Sequence, residues 1–352
     1  MIEDQDIRAA VQNGLITEAQ AAGLAALADA RKQARDQVVP GEEPFVLFKG
    51  FNEIFIVIGL SILFFGWMAV TSLFGANVFA PQGFDTVLIA VVTMAGVVVV
   101  QRYFTLTRRM VAPSIALAIM MAMGAGVFGG AMADVMGVTP LVSDLIGWGS
   151  IVAIMLAHYR VFRVPFSAAI IAGAGFALIW SLLTAGGIVP DVSAELPFLA
   201  AKGPMAVVSV LFGLAVFAGA MWFDMRDPHR ISTRSATGFW LHVISAPLIV
   251  NTVALRLLDH GTAAAHLLLA VFLVGLAVVA IVIDRRSFLV SSVVYAVTLI
   301  FTLLDGSAIV ILLLGFGLVV LGAQWGRLRH FIMKTLPDFP GKDRLPPYGL
   351  NA

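Results

Sequence analysis

Residues 263–283 read AAAHLLLAVFLVGLAVVAIVI, and no Asp, Glu, Lys or Arg interrupts them. An α-helix needs about 20 apolar residues to cross the hydrocarbon core of a bilayer. The stretch has that length, and its apolar residues are continuous and not alternating, which favours a helix over a barrel strand. It therefore predicts a transmembrane helix, and similar stretches recur along the chain.

The composition extends this prediction to the whole chain. Of 352 residues, 60% are hydrophobic and only 12% are charged, whereas soluble domains average about 45–50% and about 25%. We therefore expect an all-α, polytopic transmembrane helix bundle whose main partner is the lipid bilayer. The net charge of +1 gives no indication of nucleic-acid binding, and the absence of cysteine excludes thiolate catalysis and cysteine zinc sites.

Ten apolar segments account for the bundle. The fourth contains Asp144, and the ninth is the shortest. Small residues in the third segment, where Gly126 and Gly130 have GxxxG spacing, predict close helix packing. The segments lie near residues 54–74, 84–101, 111–129, 141–158, 165–185, 205–222, 239–257, 263–283, 289–304 and 307–325.

The distribution of positive charge predicts the orientation. If the N-terminus is cytoplasmic, all but two of the 22 Lys and Arg residues lie on the inside, the exceptions being Lys202 and Arg256. Cytoplasmic loops normally carry this excess. Removing or adding one span would destroy the alternation, so the count predicts ten spans with both termini in the cytoplasm.

Three regions follow from these segments. Residues 1–44 are expected to form a small cytoplasmic helical hairpin and a linker, with Thr17 to Gln20 as a capping box. Residues 45–326 form the transmembrane bundle. Residues 327–352 are basic and then proline-rich, and we expect an irregular cytoplasmic tail there.

Several short stretches spread over the chain form a set of motifs. They are Asn13 to Gln20, Gly238 to His242, Ala246 to Val250, Asp284 to Arg286 ahead of Phe288 to Val290, Trp325, Leu328-Arg329 and Leu336-Pro337. The set resembles a group of uncharacterised bacterial multi-pass inner-membrane proteins that carry a short cytoplasmic helical segment ahead of many spans. The resemblance implies a bacterial inner (cytoplasmic) membrane. It implies no activity, substrate or functional residue.

Two segments carry a polar face at helical spacing. The seventh presents His242, Ser245, Thr252 and Arg256, and the ninth presents Tyr295, Thr298, Thr302 and Asp305. Polar groups in a bilayer normally face the bundle or a wet cavity, so these eight residues are the candidate polar pathway. The alternative is interhelical hydrogen bonding, worth about 0.6 kcal/mol per contact.

Two residues of the polar face on the seventh segment, His242 and Arg256, lead to more specific hypotheses. His242 is either a proton relay or a histidine that is hydrogen-bonded near the interface. Arg256 and Asp305 are expected at the same depth at the outer end, which predicts that they pair and that the seventh and ninth helices are neighbours. Asp144 and Asp259 are the alternative partners of Arg256.

Two functions remain open from the sequence. The first is a small-molecule transporter or permease of unknown substrate, supported by the number of spans and by the two polar faces. The second is a non-catalytic membrane protein that acts through a cytoplasmic protein partner of residues 1–44. We expect no enzyme, no cofactor and no metal site, and an enzyme acting on lipid ranks third.

Overall fold

The computed structural model is helical, and it contains no strand in the part of the chain that it describes. The described residues are 10–11, 13–17, 20–21, 51–75, 84–188, 203–228, 230, 232–286, 292–293, 295, 297–298 and 308–348.

Eight of the described helices are long and apolar enough to cross a membrane. They are α1 (Phe51–Gly75), α2 (Phe84–Gln101), α3 (Val111–Met136), α4 (Pro140–Phe162), α5 (Phe166–Ala185), α6 (Gly203–Asp224), α7 (Thr233–His260) and α8 (Ala263–Ile283). Each coincides with one of the first eight predicted segments, including the fourth with its Asp144. The chain is therefore a multi-pass membrane protein.

The last two predicted segments are not among these eight helices. Most of the ninth, 289–304, lies outside the described residues. The tenth coincides with α9 (Ala308–Ala323), an apolar helix with 16 described residues. A further helix, α10 (Trp325–Thr335), follows at once. The expectation of an irregular tail is thus wrong for its first part, because the prolines begin only at Pro337.

The third predicted segment ends too early. Helix α3 runs to Met136, and Gly137 ends it in the left-handed conformation with φ of 61°. The close packing predicted for the small residues of α3 is confirmed at Gly129. A Cβ at Gly129 would lie 2.8 Å from Cα of Gly147 in α4, whereas one at Gly130 would meet nothing within 4 Å.

Two helices occupy central positions. Helix α3 packs against α1, α2, α4 and α5, while α7 packs against α5, α6 and α8. Buried apolar residues such as Leu117 and Met155 form the core around α3, and Val250 and Leu269 belong to the core around α7. Glu53 joins α1 to α3, because its Oε2 accepts a hydrogen bond of 3.1 Å from a backbone N–H in the first turn of α3.

The N-terminal residues belong to a separate unit, which comprises residues 1–45 with 351–352. Its capping box is confirmed, since the backbone N–H of Thr17 donates to Oε1 of Gln20 and that of Gln20 donates to Oγ1 of Thr17. The hairpin itself lies largely outside the described residues.

Candidate functional site

A cluster of charged side chains lies where α6 ends, α8 ends and α7 begins. The apolar run of α6 ends at Asp224, and that of α8 ends at Ile283. Asp284 follows in the left-handed conformation, with φ of 57°, and so terminates α8. Arg285 comes next, and its guanidinium reaches the end of α6.

The carboxylate of Asp224 binds the guanidinium of Arg285 at two points. Nε of Arg285 donates to Oδ2 at 2.9 Å, and Nη2 donates to Oδ1 at 2.5 Å. Nη2 also donates to the backbone carbonyl of Ser235, in the first turn of α7, at 2.9 Å. Because such two-point pairs fix orientation as well as distance, Arg285 holds the three helix ends together.

His242 completes this site, which we call the Asp224 cluster (Asp224, His242 and Arg285). Nε2 of His242 lies 3.0 Å from Oδ2 of Asp224. The ring of Phe217 packs against the imidazole edge-on, with centroids 5.3 Å apart. Exposure is 5% for Asp224, 1% for Arg285 and 0% for His242. One carboxylate is therefore shared by two basic groups that water barely reaches.

Gly238 makes room for the cluster on the α7 side. A Cβ at this position would lie 2.2 Å from Oδ1 of Asp224 and 3.2 Å from the carbonyl oxygen of Ala220. No side chain fits at such distances. A glycine is therefore needed here because the backbone of α7 approaches the carboxylate of α6.

A second set of contacts surrounds Asp284, the neighbour of Arg285 in the chain. Nη1 of Arg230 lies 3.1 Å from Oδ2 of Asp284, and Nε1 of Trp325 donates to Oδ1 at 2.7 Å. Asp284 is 3% exposed. Its carboxylate thus attaches both the loop after α6 and the start of α10 to the end of α8.

Arg329 holds the rest of the C-terminal segment (residues 325–348) in place. Its Nε donates to the carbonyl oxygen of Ile281 in α8, and its two terminal nitrogens donate to the carbonyl oxygens of Pro346 and Pro347 at 2.6 and 2.7 Å. Burial lowers the pKa of the Arg329 guanidinium below its ordinary value, although an arginine still stays charged near neutral pH. The C-terminal segment is therefore folded onto α8.

The predicted polar face of α7 exists, but most of it is packed. His242 and Ser245 are fully buried, Thr252 is nearly so, and Arg256 is exposed. Ser245 donates to the backbone carbonyl of His242 at 3.2 Å. The face therefore begins at the Asp224 cluster and continues along the inside of the bundle to Arg256 at its other end.

The ninth segment is described at only a few residues. Tyr295 is buried in the core that α7 and α8 form, and Thr298 lies in a helical stretch. Thr302 and Asp305 fall outside the described residues, as does the predicted pair of Arg256 with Asp305. The pathway between the seventh and ninth helices stays a prediction.

Sequence reasoning found His242 but missed its partners Asp224 and Arg285. Both lie just beyond the ends of the predicted segments 205–222 and 263–283, where charges normally face water. A signal was nevertheless present, since the motifs of the resemblance include Gly238, His242, Arg285 and Trp325. These residues, far apart in sequence, meet in and beside the Asp224 cluster.

Within the described part of the chain, no group of three or more His, Asp or Glu side chains is arranged to hold a metal ion. A comparison with models of protein families gives no match, and neither curated proteins nor solved structures give one.

Proposed function

We propose that this protein is a proton-coupled transporter of a small molecule, in a bacterial inner membrane, with the Asp224 cluster as its proton-binding site. The observation that supports the proposal is the burial of one carboxylate between a guanidinium and an imidazole at the meeting point of three membrane helices. Ionisable groups inside membrane domains are costly, and they mark ion or substrate pathways.

The cluster suits proton coupling because the binding of one proton changes the attraction between its side chains. An ionised Asp224 attracts Arg285. It also attracts His242 when the imidazole of His242 is protonated. A proton on the carboxylate removes the negative charge that both basic groups need. The end of α6 then loses its ion pair with Arg285, and this favours a second arrangement of these helices. A substrate with different affinities for the two arrangements would thus be linked to the proton.

The experiment uses purified protein in liposomes that contain a pH-sensitive dye. Inward gradients of amino acids, monocarboxylates, sugars and organic cations are applied in turn. We expect one class to drive proton movement, and we expect Asp224→Asn and His242→Gln, each verified as folded by size-exclusion chromatography, to abolish it. Asp134→Asn, at an exposed acidic residue near the outer end of α3, is the matched control and should behave as wild type.

Two results would contradict the proposal. The first is that no class moves protons with wild-type protein whose folding is verified by size-exclusion chromatography and thermal unfolding. The second is that Asp224→Asn transports as well as Asp134→Asn, which would leave the cluster with a structural role alone.

A second function, action through a protein partner, is favoured by the C-terminal segment. Arg329 and Trp325 fasten it to α8, so it offers an ordered surface at the end that we expect to be cytoplasmic. Residues 1–44 would supply a further docking unit. Deleting them should then abolish the cellular phenotype of the gene while the bundle stays folded, whereas a transporter lacking them should keep its proton movement in liposomes.

A further inference from the structure

A groove opens between α6 and α7 at the end of the bundle opposite the Asp224 cluster. Its volume is about 470 Å³. Most of the lining is aliphatic and includes Ala206, Val207 and Leu211 from α6. Val207 and Leu211 are each 60% exposed, so the groove opens on the outer surface of the bundle, where lipid lies.

The two helices that line the groove come into close contact at Gly213, beyond the inner end of the groove. A Cβ at Gly213 would lie 2.9 Å from Cγ1 of Ile249 and 3.0 Å from Cβ of Leu248, so α6 and α7 are in direct contact there. The α6 residues that line the groove lie beyond this contact, toward the start of α6. From Leu211 to Gly203 helix α6 rises about 12 Å, which leaves a narrow apolar cleft that suits an extended hydrocarbon chain.

The upper end of the groove is polar and positive. Thr252 lines it and is 2% exposed, yet its hydroxyl has no hydrogen-bond partner among the described residues. Arg256 lines it one turn further along α7 and is exposed. Gly203 begins α6 at the same end, where the first-turn N–H groups carry partial positive charge.

We propose that this groove binds an anionic phospholipid, with its phosphate on Arg256, a glycerol ester oxygen accepting from Thr252, and one acyl chain along Val207 and Leu211. The three features follow the order of groups in a phospholipid, namely charge, polar linkage and hydrocarbon. The site is separate from the Asp224 cluster, and it does not depend on the proposed transport.

The experiment measures which lipid remains with the protein. Full-length protein is equilibrated in mixed micelles of phosphatidylglycerol and phosphatidylcholine, repurified, and analysed by native mass spectrometry. An ion pair at an exposed site is worth at most about 1 kcal/mol, so we expect phosphatidylglycerol to be enriched about two- to fivefold over its input ratio.

Three variants locate the site. Arg256→Gln should remove the enrichment, and Arg234→Gln, at an exposed arginine at the opposite end of α7, should keep it. Ala206→Phe fills the cleft without changing charge, and it should lower total bound phospholipid. Thermal unfolding of each variant verifies that it is folded, and an unfolded Ala206→Phe is replaced by Val207→Trp.

Several results would overturn the proposal. One is an unchanged enrichment in Arg256→Gln. Another is complete displacement of the phospholipid by an equimolar fatty acid, which would identify a free carboxylate amphiphile as the ligand. A third is that phosphatidylglycerol is enriched in Asp305→Asn but not in wild type. This would show that Asp305 pairs with Arg256 in the native protein and keeps the phosphate from binding.

Discussion

Replacing Asp224 by Asn should be the most damaging conservative change in the membrane bundle. Asn has nearly the same shape, so the substitution leaves packing intact and removes only the charge. Arg285 is 1% exposed, and it then keeps a buried positive charge without its two-point partner. Removing one member of such a pair costs about 3–5 kcal/mol, because the desolvation of the remaining charge is no longer offset.

The free energy of unfolding can be measured by steric trapping or by denaturant titration in micelles, followed through tryptophan fluorescence. The double variant Asp224→Asn/Arg285→Gln carries no orphaned charge, so it should be more stable than Asp224→Asn alone. Asp134→Asn, at an exposed site, should stay within about 0.5 kcal/mol of wild type. If Asp224→Asn loses less than about 1 kcal/mol, or if the double variant is the least stable of all, the reasoning from a desolvated charge pair is refuted.

Two further predictions concern other contacts, and a third concerns the orientation of the chain. Trp325→Phe removes the donor that fastens the C-terminal segment to α8, so it should cost about 1–3 kcal/mol and speed tryptic cleavage of that segment. Gly213→Ala should lower thermal stability, by about 1–3 kcal/mol, because its Cβ would lie 2.9 Å from α7, while Gly59→Ala, which meets nothing within 4 Å, should not. A cysteine at Asn77 should react with an impermeant thiol reagent outside intact cells, and one at Thr233 should not, since the positive-charge count predicts these sides. Labelling at Thr233 would contradict the predicted orientation.

The spans could be predicted because hydropathy is a local property of the chain. The sixth segment, 205–222, became α6 (Gly203–Asp224), and the eighth matches α8 (Ala263–Ile283) at both ends. The prediction ends the third segment at residue 129, whereas helix α3 continues through Gly129 and Gly130 to Met136. The glycine that ends a helix is the one in the left-handed conformation, and that is Gly137.

The site could not be predicted because it depends on how helices are rotated and turned. GxxxG spacing selects Gly126 and Gly130, but the rotation of α3 brings Gly126 and Gly129, and not Gly130, against α4. In the same way, hydropathy assigns Asp224 and Arg285 to two unconnected loops. Only the left-handed turn at Asp284 brings the guanidinium back to the carboxylate.

Asp284 and Arg285 are neighbours in the chain, so they link the Asp224 cluster to the contacts that surround Asp284. Asp284 binds Trp325 of the C-terminal segment, and Arg285 binds Asp224 inside the bundle. The two side chains leave adjacent Cα atoms, and the rigid peptide bond between them allows neither to move far alone. A rotation that releases Arg285 from Asp224 therefore strains the contact of Asp284 with Trp325. If protonation of Asp224 drives transport as proposed, the same step loosens the C-terminal segment, and Trp325 fluorescence becomes a reporter of the state of the cluster.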